Sequence, residues 1–284
     1  SDIISFLLPK EIQGNLESLH KKTKSTLFMS LLTAYQTFLS VYFDEEQVVV
    51  GSPLAKRNHV DTEQLIGYFV NTLPFKLNVS QEDSFEGILR KNIKNIAGVF
   101  DHQNLPTKEI LKYLSAERTM ENTPLFDTVF VLQNNQKEKL AYRNFKLKPK
   151  KINTFKAKFD LVVQAEEMDE DELVISFEFN KSLFNKTTIQ RMASNFQHWL
   201  QEITAKESKR IKDITYLEPA QLRSIIEMGT GNVTQEVEDH RFEDVITRFE
   251  NKVSTNFNDV AIVHGDDQVT YSELNARANQ VAQR

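Results

Sequence analysis

The chain has 284 residues, of which 40% are apolar, and a formal net charge of −5, the composition of a soluble globular protein with one large domain or two smaller ones. The negative charge argues against a general nucleic-acid binder, because phosphate contacts need clustered lysine and arginine. The absence of cysteine excludes disulfides, zinc–thiolate sites and cysteine nucleophiles, and it fits a cytoplasmic protein. No apolar run approaches the roughly 20 residues of a membrane span, so no membrane partner is expected.

The first hundred residues predict three helices and the strands that they cover. Apolar residues recur at helical spacing after Pro9, and again after Thr26, which can cap a helix. A β-branched run that ends at Gly51 predicts a buried strand, and Ser84 can cap a third helix. The predicted elements are a strand at 6–8, helices at 9–22, 27–42 and 85–103, a strand at 47–51 and a polar loop at 52–62.

The middle of the chain predicts sheet followed by a long helix. An apolar stretch at 126–132 predicts a strand, and alternating segments at 158–166 and 172–180 flank an acidic turn, as in a β-hairpin. The basic run at 146–158 is interpreted as the solvated face of an edge strand, where lysine discourages pairing with another sheet. An amphipathic pattern at 187–203 predicts the closing helix.

The composition changes after this helix. Residues 206–212 are polar and charged, and 229–239 contains almost no apolar residue, which indicates a linker. The residues after it are too few to bury a core alone. We predict a helix at 241–253, strands at 259–264 and 268–270, and a helix at 271–283. The predicted organisation is a domain at 1–217, a linker at 218–240 and the start of a second domain at 241–284.

The usual catalytic motifs are missing from the sequence. It contains no glycine-rich phosphate loop, no Gly-x-Ser-x-Gly elbow and no His-Glu-x-x-His zinc motif, and none of its six histidines adjoins another. His102 is the strongest candidate for a general base. Its neighbour Asp101 points in another direction on a helix, which favours a role at a helix end. The acidic residues at 166–171 are interpreted as a solvated turn, so no metal site is predicted.

Several stretches carry more information through their order than each carries alone. In chain order they read TLFMSLLTAY with VVGSPLAKRN, IGYFVNTLP, HQNLP, and RTMENTPLF with VFVLQN, beginning at residues 26, 49, 66, 102, 118 and 129. Together they resemble the core motifs of the condensation domains of nonribosomal peptide synthetases, over residues 1 to 217.

This resemblance implies an α/β (α+β) lobe similar to chloramphenicol acetyltransferase, with a mixed sheet and packed helices. Condensation domains have two such lobes, and the tunnel between them admits a phosphopantetheine arm from a carrier protein on each side. The acceptor amine attacks the donor thioester, and an amide forms. The implied cofactor is therefore phosphopantetheine on partner carrier proteins, with none bound by the chain itself.

The family's His-His-x-x-x-Asp-Gly motif lies in its N-terminal lobe and has no match here. The resemblance thus implies a C-terminal lobe that begins after the N-terminal lobe ends and has no catalytic residue of its own. Arg57 and Asn58 are expected to be structural at the lobe boundary, with Arg57 paired to the motif's aspartate, although a solvent-facing loop arginine is an equal alternative. The candidates for tunnel lining are Tyr68, Asn71, Thr72, His102 and Gln103, of which Asn71 and Thr72 could instead be polar residues of a strand.

The last residues carry a separate resemblance. The stretch VTYSELN at 269–275 is similar to the first core motif of adenylation domains, through Thr270, Tyr271, Glu273 and Leu274. The parts of that family that bind ATP and select an amino acid lie further on, so the chain is not expected to adenylate. Condensation followed by adenylation is the order of an elongation module, whose further parts are the remainder of the adenylation domain and a carrier domain.

Two other functions remain open from the sequence. The lobe could be a non-catalytic surface that docks a carrier protein or holds the adenylation domain. The chain could also be a complete small acyltransferase resembling chloramphenicol acetyltransferase, which would need His102 as its base.

Overall fold

The computed structural model describes residues 1–55, 65–67, 69–114, 125–133, 141–142, 145–146, 158–168, 172–230 and 244–283. The chain divides into two compact units, Ser1–Leu222 and Arg223–Arg284, which are called unit 1 and unit 2. The predicted boundaries at residues 217 and 240 stay predictions.

Unit 1 alternates helices and strands. Its helices are α1 (Lys10–Thr23), α2 (Leu27–Phe43), α3 (Phe85–Asp101), α4 (Thr107–Tyr113) and α5 (Lys186–Ala205), and α6 (Pro219–Thr230) begins in it. Its strands are β1 (Asp2–Leu7), β2 (Gln47–Ala55), β3 (Val70–Asn78), β4 (Thr128–Gln133), β5 (Ala141–Tyr142), β6 (Phe145–Lys146), β7 (Leu161–Glu167) and β8 (Leu173–Phe179).

Six of these strands form one mixed sheet in the order β1-β8-β7-β4-β2-β3. Strand β4 runs parallel to β2 and β7, and the other neighbouring pairs are antiparallel. Among the described residues β2 and β4 pair only at Gly51 and Val129, whereas β2 and β3 pair along their whole length. The sheet therefore consists of two well-paired parts that meet at a short contact.

Helix α2 forms the centre of the core. The side chain of Thr26 accepts the backbone N–H of Met29 at its start, and every residue from Ser30 to Ser40 is buried. Trp199 of α5 is fully buried and donates its indole N–H to the carbonyl of Ala34 at 3.2 Å. A helix that is buried all round lies between packed layers rather than at the surface.

Buried polar side chains join α2, α3 and β3. The Asn92 amide donates to Thr33 Oγ1 at 2.9 Å and to Gln36 Oε1 at 3.0 Å. Gln36 Nε2 donates in turn to the carbonyl of Phe75 at 2.8 Å. Because buried polar groups are costly unless paired, this network specifies how the three elements pack.

The segment after α5, residues 206–216, is fastened to the rest of unit 1 and is called the strap. The Ile211 N–H donates to the carbonyl of Asp83 at 2.9 Å, and the Lys212 N–H donates to the carbonyl of Gln81 at 3.0 Å. The side chain of Ile211 is fully buried. The polar composition of 206–212 therefore belongs to the surface of unit 1.

Ion pairs also connect α1 with α3 and with the strap. Lys22 of α1 pairs with Glu86 of α3 at 2.7 Å and also with Glu207 of the strap. Hydrogen bonds from Lys22 and Arg90 hold the pKa of Glu86 below its ordinary value. The charges lie at the surface, where each pair contributes little to the free energy of folding.

Unit 2 contains α7 (Val245–Thr255), the hairpin strands β9 (Val260–His264) and β10 (Asp267–Thr270), and α8 (Tyr271–Ala282). Gly265 turns the hairpin with a φ of 61°, a conformation that glycine adopts without strain. Within the described part of unit 2, Val253 is the one buried apolar side chain, whereas Val245 and Val281 are largely exposed. The unit has almost no core, as its short length led us to expect.

Several boundaries and one helix differ from the sequence prediction: β1 spans Asp2–Leu7 rather than 6–8, and α7 spans Val245–Thr255 rather than 241–253. The loop predicted from residue 52 is wrong for 52–55, because those residues continue β2 and pair with β3. Helix α3 ends at Asp101, two residues before the predicted end at 103. Helix α4 was not predicted. Most of the basic run at 146–158 lies outside the described residues.

Within the described ranges, no single helix combines the length and apolar character needed to cross a bilayer. Helices α1 and α2 meet that test only as a pair bent by 107°. Because α2 is the buried centre of the core, the pair has the apolar composition that such a helix requires.

Candidate functional site

The described tunnel-lining candidates lie in unit 1 where the start of β3 meets the end of α3. Asn71 and Thr72 are the second and third residues of β3, and His102 and Gln103 follow α3 directly. The structure therefore brings together four candidates from two separate motif stretches. The predictions for Arg57, Asn58 and Tyr68 lie outside the described residues.

Asn71 fastens the segment that joins α3 to α4. Its side-chain amide donates to the carbonyl of Gln103 at 3.1 Å and to the carbonyl of Leu105 at 3.0 Å. An asparagine amide has two hydrogens, so both of its donors are used within the protein.

Thr107, the first residue of α4, completes this arrangement. Its hydroxyl donates to the carbonyl of Thr72 at 2.9 Å and lies 3.3 Å from Asn71 Oδ1. We call Asn71, Thr72, Gln103, Leu105 and Thr107 the Asn71 cluster. Sequence reasoning missed Thr107, because a threonine after a proline at a helix start carries only a local signal.

The position of β3 explains how the cluster forms. It is an edge strand of the sheet, and it contains Pro74, whose missing N–H costs no ladder bond at an edge. The segment between α3 and α4 therefore meets the sheet through the side chains of Asn71 and Thr107. All five residues of the cluster are uncharged, so it offers hydrogen bonds without a net charge.

His102 is the C-cap of α3, and its ring is held there. Nδ1 lies 2.8 Å from the carbonyl oxygen of Gly98, one turn earlier, and the side chain is exposed. In the tautomer that donates from Nδ1 to that carbonyl, Nε2 is left as an acceptor. His102 therefore lies at a helix end, which is the position that the sequence favoured, and its part in lining a tunnel stays a prediction.

A shallow groove of about 460 Å³ lies beside the cluster. Leu73 and Pro74 of β3 line it, together with Val99 of α3 and Ile110 of α4, and Leu105 of the cluster also reaches it. Across the described part of the chain, no group of three His, Asp or Glu side chains is arranged to hold a metal ion. The cluster therefore offers neutral hydrogen bonding, and the groove beside it is mostly apolar, with Lys94 as a charged lining residue.

The adenylation-like motif begins α8 in unit 2. The Thr270 side chain accepts the Glu273 N–H at 3.3 Å, and the Glu273 carboxylate accepts the Thr270 N–H at 3.0 Å, which is a capping box. The ring of Tyr271 lies 6.4 Å from that of Phe249 in α7, and Leu274 is half-buried. The motif therefore has a structural role in this unit, as the start of a helix.

Most of the chain matches a known protein family. The family model described as "Condensation domain" matches residues 1–226. The chain belongs to the condensation domain family. In nonribosomal peptide synthetases these domains are acyl-transferring enzymes.

Curated relatives are synthetases of great length. The chain is 36% identical over 267 residues to tyrocidine synthase 3 of Brevibacillus parabrevis, and 33% identical over 279 residues to gramicidin S synthase 2 of Brevibacillus brevis. These matches cover 94% and 98% of the condensation-domain chain, but 4% and 6% of the relatives. The chain thus spans a small fraction of the length of the relatives that it matches.

Solved structures share the fold. Holo-AB3403, a four-domain nonribosomal peptide synthetase bound to AMP and glycine, matches 99% of the chain and 22% of its own length, with a TM-score of 0.78 at 16% identity. The condensation domain of the Monacolin K polyketide synthase MokA matches 74% of the chain and 48% of its own length, with a TM-score of 0.67 at 18% identity. The predicted α/β fold with a mixed sheet and packed helices is confirmed.

Proposed function

We propose that the chain supplies the C-terminal lobe of an amide-forming condensation domain in a nonribosomal peptide synthetase. The observation that carries this proposal is coverage, because about three quarters of the chain, 74%, matches only 48% of the MokA domain. A match of that extent fits one lobe of a two-lobed domain. The ordered motifs, and the lack of any adjacent histidines among the 284 residues, support the C-terminal half.

In the proposed reaction, the amine of an acceptor aminoacyl group attacks the carbonyl of a donor thioester. A C–N bond forms, the C–S bond breaks, and the proton lost by the amine is matched by the one gained by the leaving thiol. Both acyl groups are carried on phosphopantetheine arms of partner carrier domains. The histidine that assists this step belongs to the other lobe.

The contribution of this chain is one wall of the tunnel. The residues of the Asn71 cluster are uncharged, and the side-chain amide of Gln103 in the segment that Asn71 holds suits an arm whose own polar groups are mostly amides. Arg57 and Asn58 are proposed to face the N-terminal lobe, which is the partner that completes the site. The lack of cysteine supports a cytoplasmic synthetase.

Unit 2 is proposed to be the start of the adenylation domain of the same elongation module. The match to the four-domain synthetase covers 99% of the chain, and therefore extends beyond residue 226, where the condensation-domain match ends. The exposed apolar side chains of this unit, such as Val245 and Val281, would be covered by the remainder of that domain.

The experiment that tests the condensation proposal measures dipeptidyl thioesters by mass spectrometry. One carrier protein is loaded with a donor aminoacyl group and another with an acceptor, and they are mixed with the chain or with the full-length synthetase that contains it. We expect product with the full-length protein, and none above the no-protein control with the chain alone.

Two results would contradict the proposal in different ways. Turnover by the chain alone would show that it has its own catalytic group, and His102 would then be the first residue to replace. No product from the full-length protein, when its carrier domains are verified as loaded, would favour the non-catalytic docking surface.

The adenylation part has a separate test. We expect the chain alone to show no amino-acid-dependent exchange of pyrophosphate into ATP, and the full-length protein to show it. Exchange by the chain alone would contradict the assignment of unit 2 as the start of a larger domain.

A further inference from the structure

The segment at 103–106 is exposed, but hydrogen bonds connect it to α3 and to β3. Asn104 and Pro106 are exposed, and Leu105 is 40% exposed, so apolar burial does little to hold this part of the chain. An exposed segment without apolar anchors is ordinarily mobile. Hydrogen bonds are therefore the main contacts that hold the segment in place.

These hydrogen bonds tie the segment on two sides. The Gln103 N–H donates to the carbonyl of Phe100 at 3.2 Å, and the Leu105 N–H donates to the carbonyl of His102 at 3.0 Å, which joins the segment to the end of α3. The carbonyls of Gln103 and Leu105 accept from Asn71, which joins the same residues to β3. One asparagine thus fixes the segment against the sheet.

We propose that Asn71 is a positioning residue that holds the 103–106 segment in place, so that the segment, and not the Asn71 side chain, meets the substrate arm. This inference deepens the proposed function and rests on it, because the segment faces an arm only if the lobe forms a tunnel wall. Contact residues on loops are held in place by the rigid elements behind them. Strand β3 is that rigid element here.

The hydrogen bonds of Asn71 distinguish a positioning role from direct contact with the substrate arm. Both of its amide hydrogens are given to backbone carbonyls, and its Oδ1 faces the Thr107 hydroxyl at 3.3 Å. Asn71→Asp keeps the size of the side chain, removes both donors and sets a carboxylate against two carbonyl oxygens. A direct-contact residue would act through its own side chain, whereas a positioning residue acts through the order of the segment.

The first measurement is hydrogen exchange, followed at the Gln103 and Leu105 amides of the chain. We expect exchange to be at least about tenfold faster in Asn71→Asp, because two hydrogen bonds that hold the segment are lost. Asn78→Asp is the matched control: it lies on the same strand, is exposed, and uses its Oδ1 to accept from Gln47 Nε2 at 3.2 Å, which an aspartate also does. Exchange at the two amides should be unchanged in this control.

The second measurement is condensation by the full-length synthetase, normalised to the folded fraction. We expect Asn71→Asp to lower kcat about tenfold, because misplacement of a positioning group slows the reaction. KM for the carrier proteins and the melting temperature should change little. Thr107→Val, which removes the hydroxyl, should also lower kcat. Thr107→Ser, which keeps the hydroxyl, should retain activity.

The outcomes are distinguishable. Unchanged hydrogen exchange in Asn71→Asp would overturn the proposal. Faster exchange with an unchanged kcat would overturn it too, because the hydrogen bonds of Asn71 would then have a structural role only. A wild-type synthetase without condensation activity would overturn the proposed function and this inference together. The exchange data would then still show whether Asn71 holds the segment.

Discussion

Replacing Asn92 with alanine should destabilise unit 1 strongly, because its side chain is only 1% exposed and supplies two buried hydrogen bonds. The substitution leaves Gln36 Oε1 buried without a donor, which costs about 1–3 kcal/mol. The Thr33 hydroxyl is affected less, because it still donates to the carbonyl of Met29 at 2.7 Å. With the small cavity added, we expect the free energy of unfolding to fall by about 2–4 kcal/mol.

The assay is denaturation by guanidinium chloride, followed by tryptophan fluorescence. Trp199 is the single tryptophan of the chain and is buried in unit 1, so its signal reports that unit alone. Asn95→Ala is the matched control, since Asn95 lies one turn later on the same helix and is exposed, and we expect it to cost less than about 0.5 kcal/mol. Equal losses in the two variants would refute the network as a source of stability.

Three further predictions concern other parts of the chain. Gly51→Ala would set a Cβ 2.3 Å from a ring carbon of the buried Phe126, so the same denaturation assay should show a loss of about 1–3 kcal/mol; no loss would mean that the ring moves aside freely. Burial lowers the pKa of His20 from its ordinary value, so the folded state binds a proton less readily than the unfolded state. The stability of unit 1 should therefore fall as the pH drops below the unfolded pKa of about 6.5, and His20→Leu should flatten that fall; an unchanged slope would refute this cause. Thr270→Ala removes the capping box of α8, and a loss of about 1 kcal/mol should appear as faster hydrogen exchange in its first turn, whereas unchanged exchange there would contradict the cap.

The long elements of the fold were predictable because their signals are local. The side chains of Thr26 and Ser84 accept the backbone N–H groups of Met29 and Gly87, so both predicted N-caps are confirmed. The predicted hairpin is present as β7 and β8. Helical spacing and strand alternation depend on residues within a few positions of each other, which is why a single sequence carries them.

The features that the sequence did not predict either depend on partners far away in the chain or have no periodic pattern of apolar residues. Helix α4 is seven residues long and contains no buried residue, so it has no apolar stripe. The attachment of the strap to unit 1 was not predicted, because the residues that it bonds, in 81–86, lie far away in the sequence. Asn71 bonds to carbonyls 32 and 34 residues away, and a backbone carbonyl has no sequence signature. The motif resemblance pointed to both stretches but not to the bond between them.

The pairing of β1 with β8 has a consequence for synthesis on the ribosome. Ser5 and Ser176, which bond across these strands at 2.9 Å, are 171 residues apart. At a synthesis rate of about 5–20 residues per second, the edge strand that emerges first waits roughly 10–30 seconds for its neighbour. During that time its apolar residues Ile4 and Phe6, which pack against the finished core, have no sheet to join. The nascent chain should therefore need protection by chaperones until the far side of the sheet has left the ribosome tunnel.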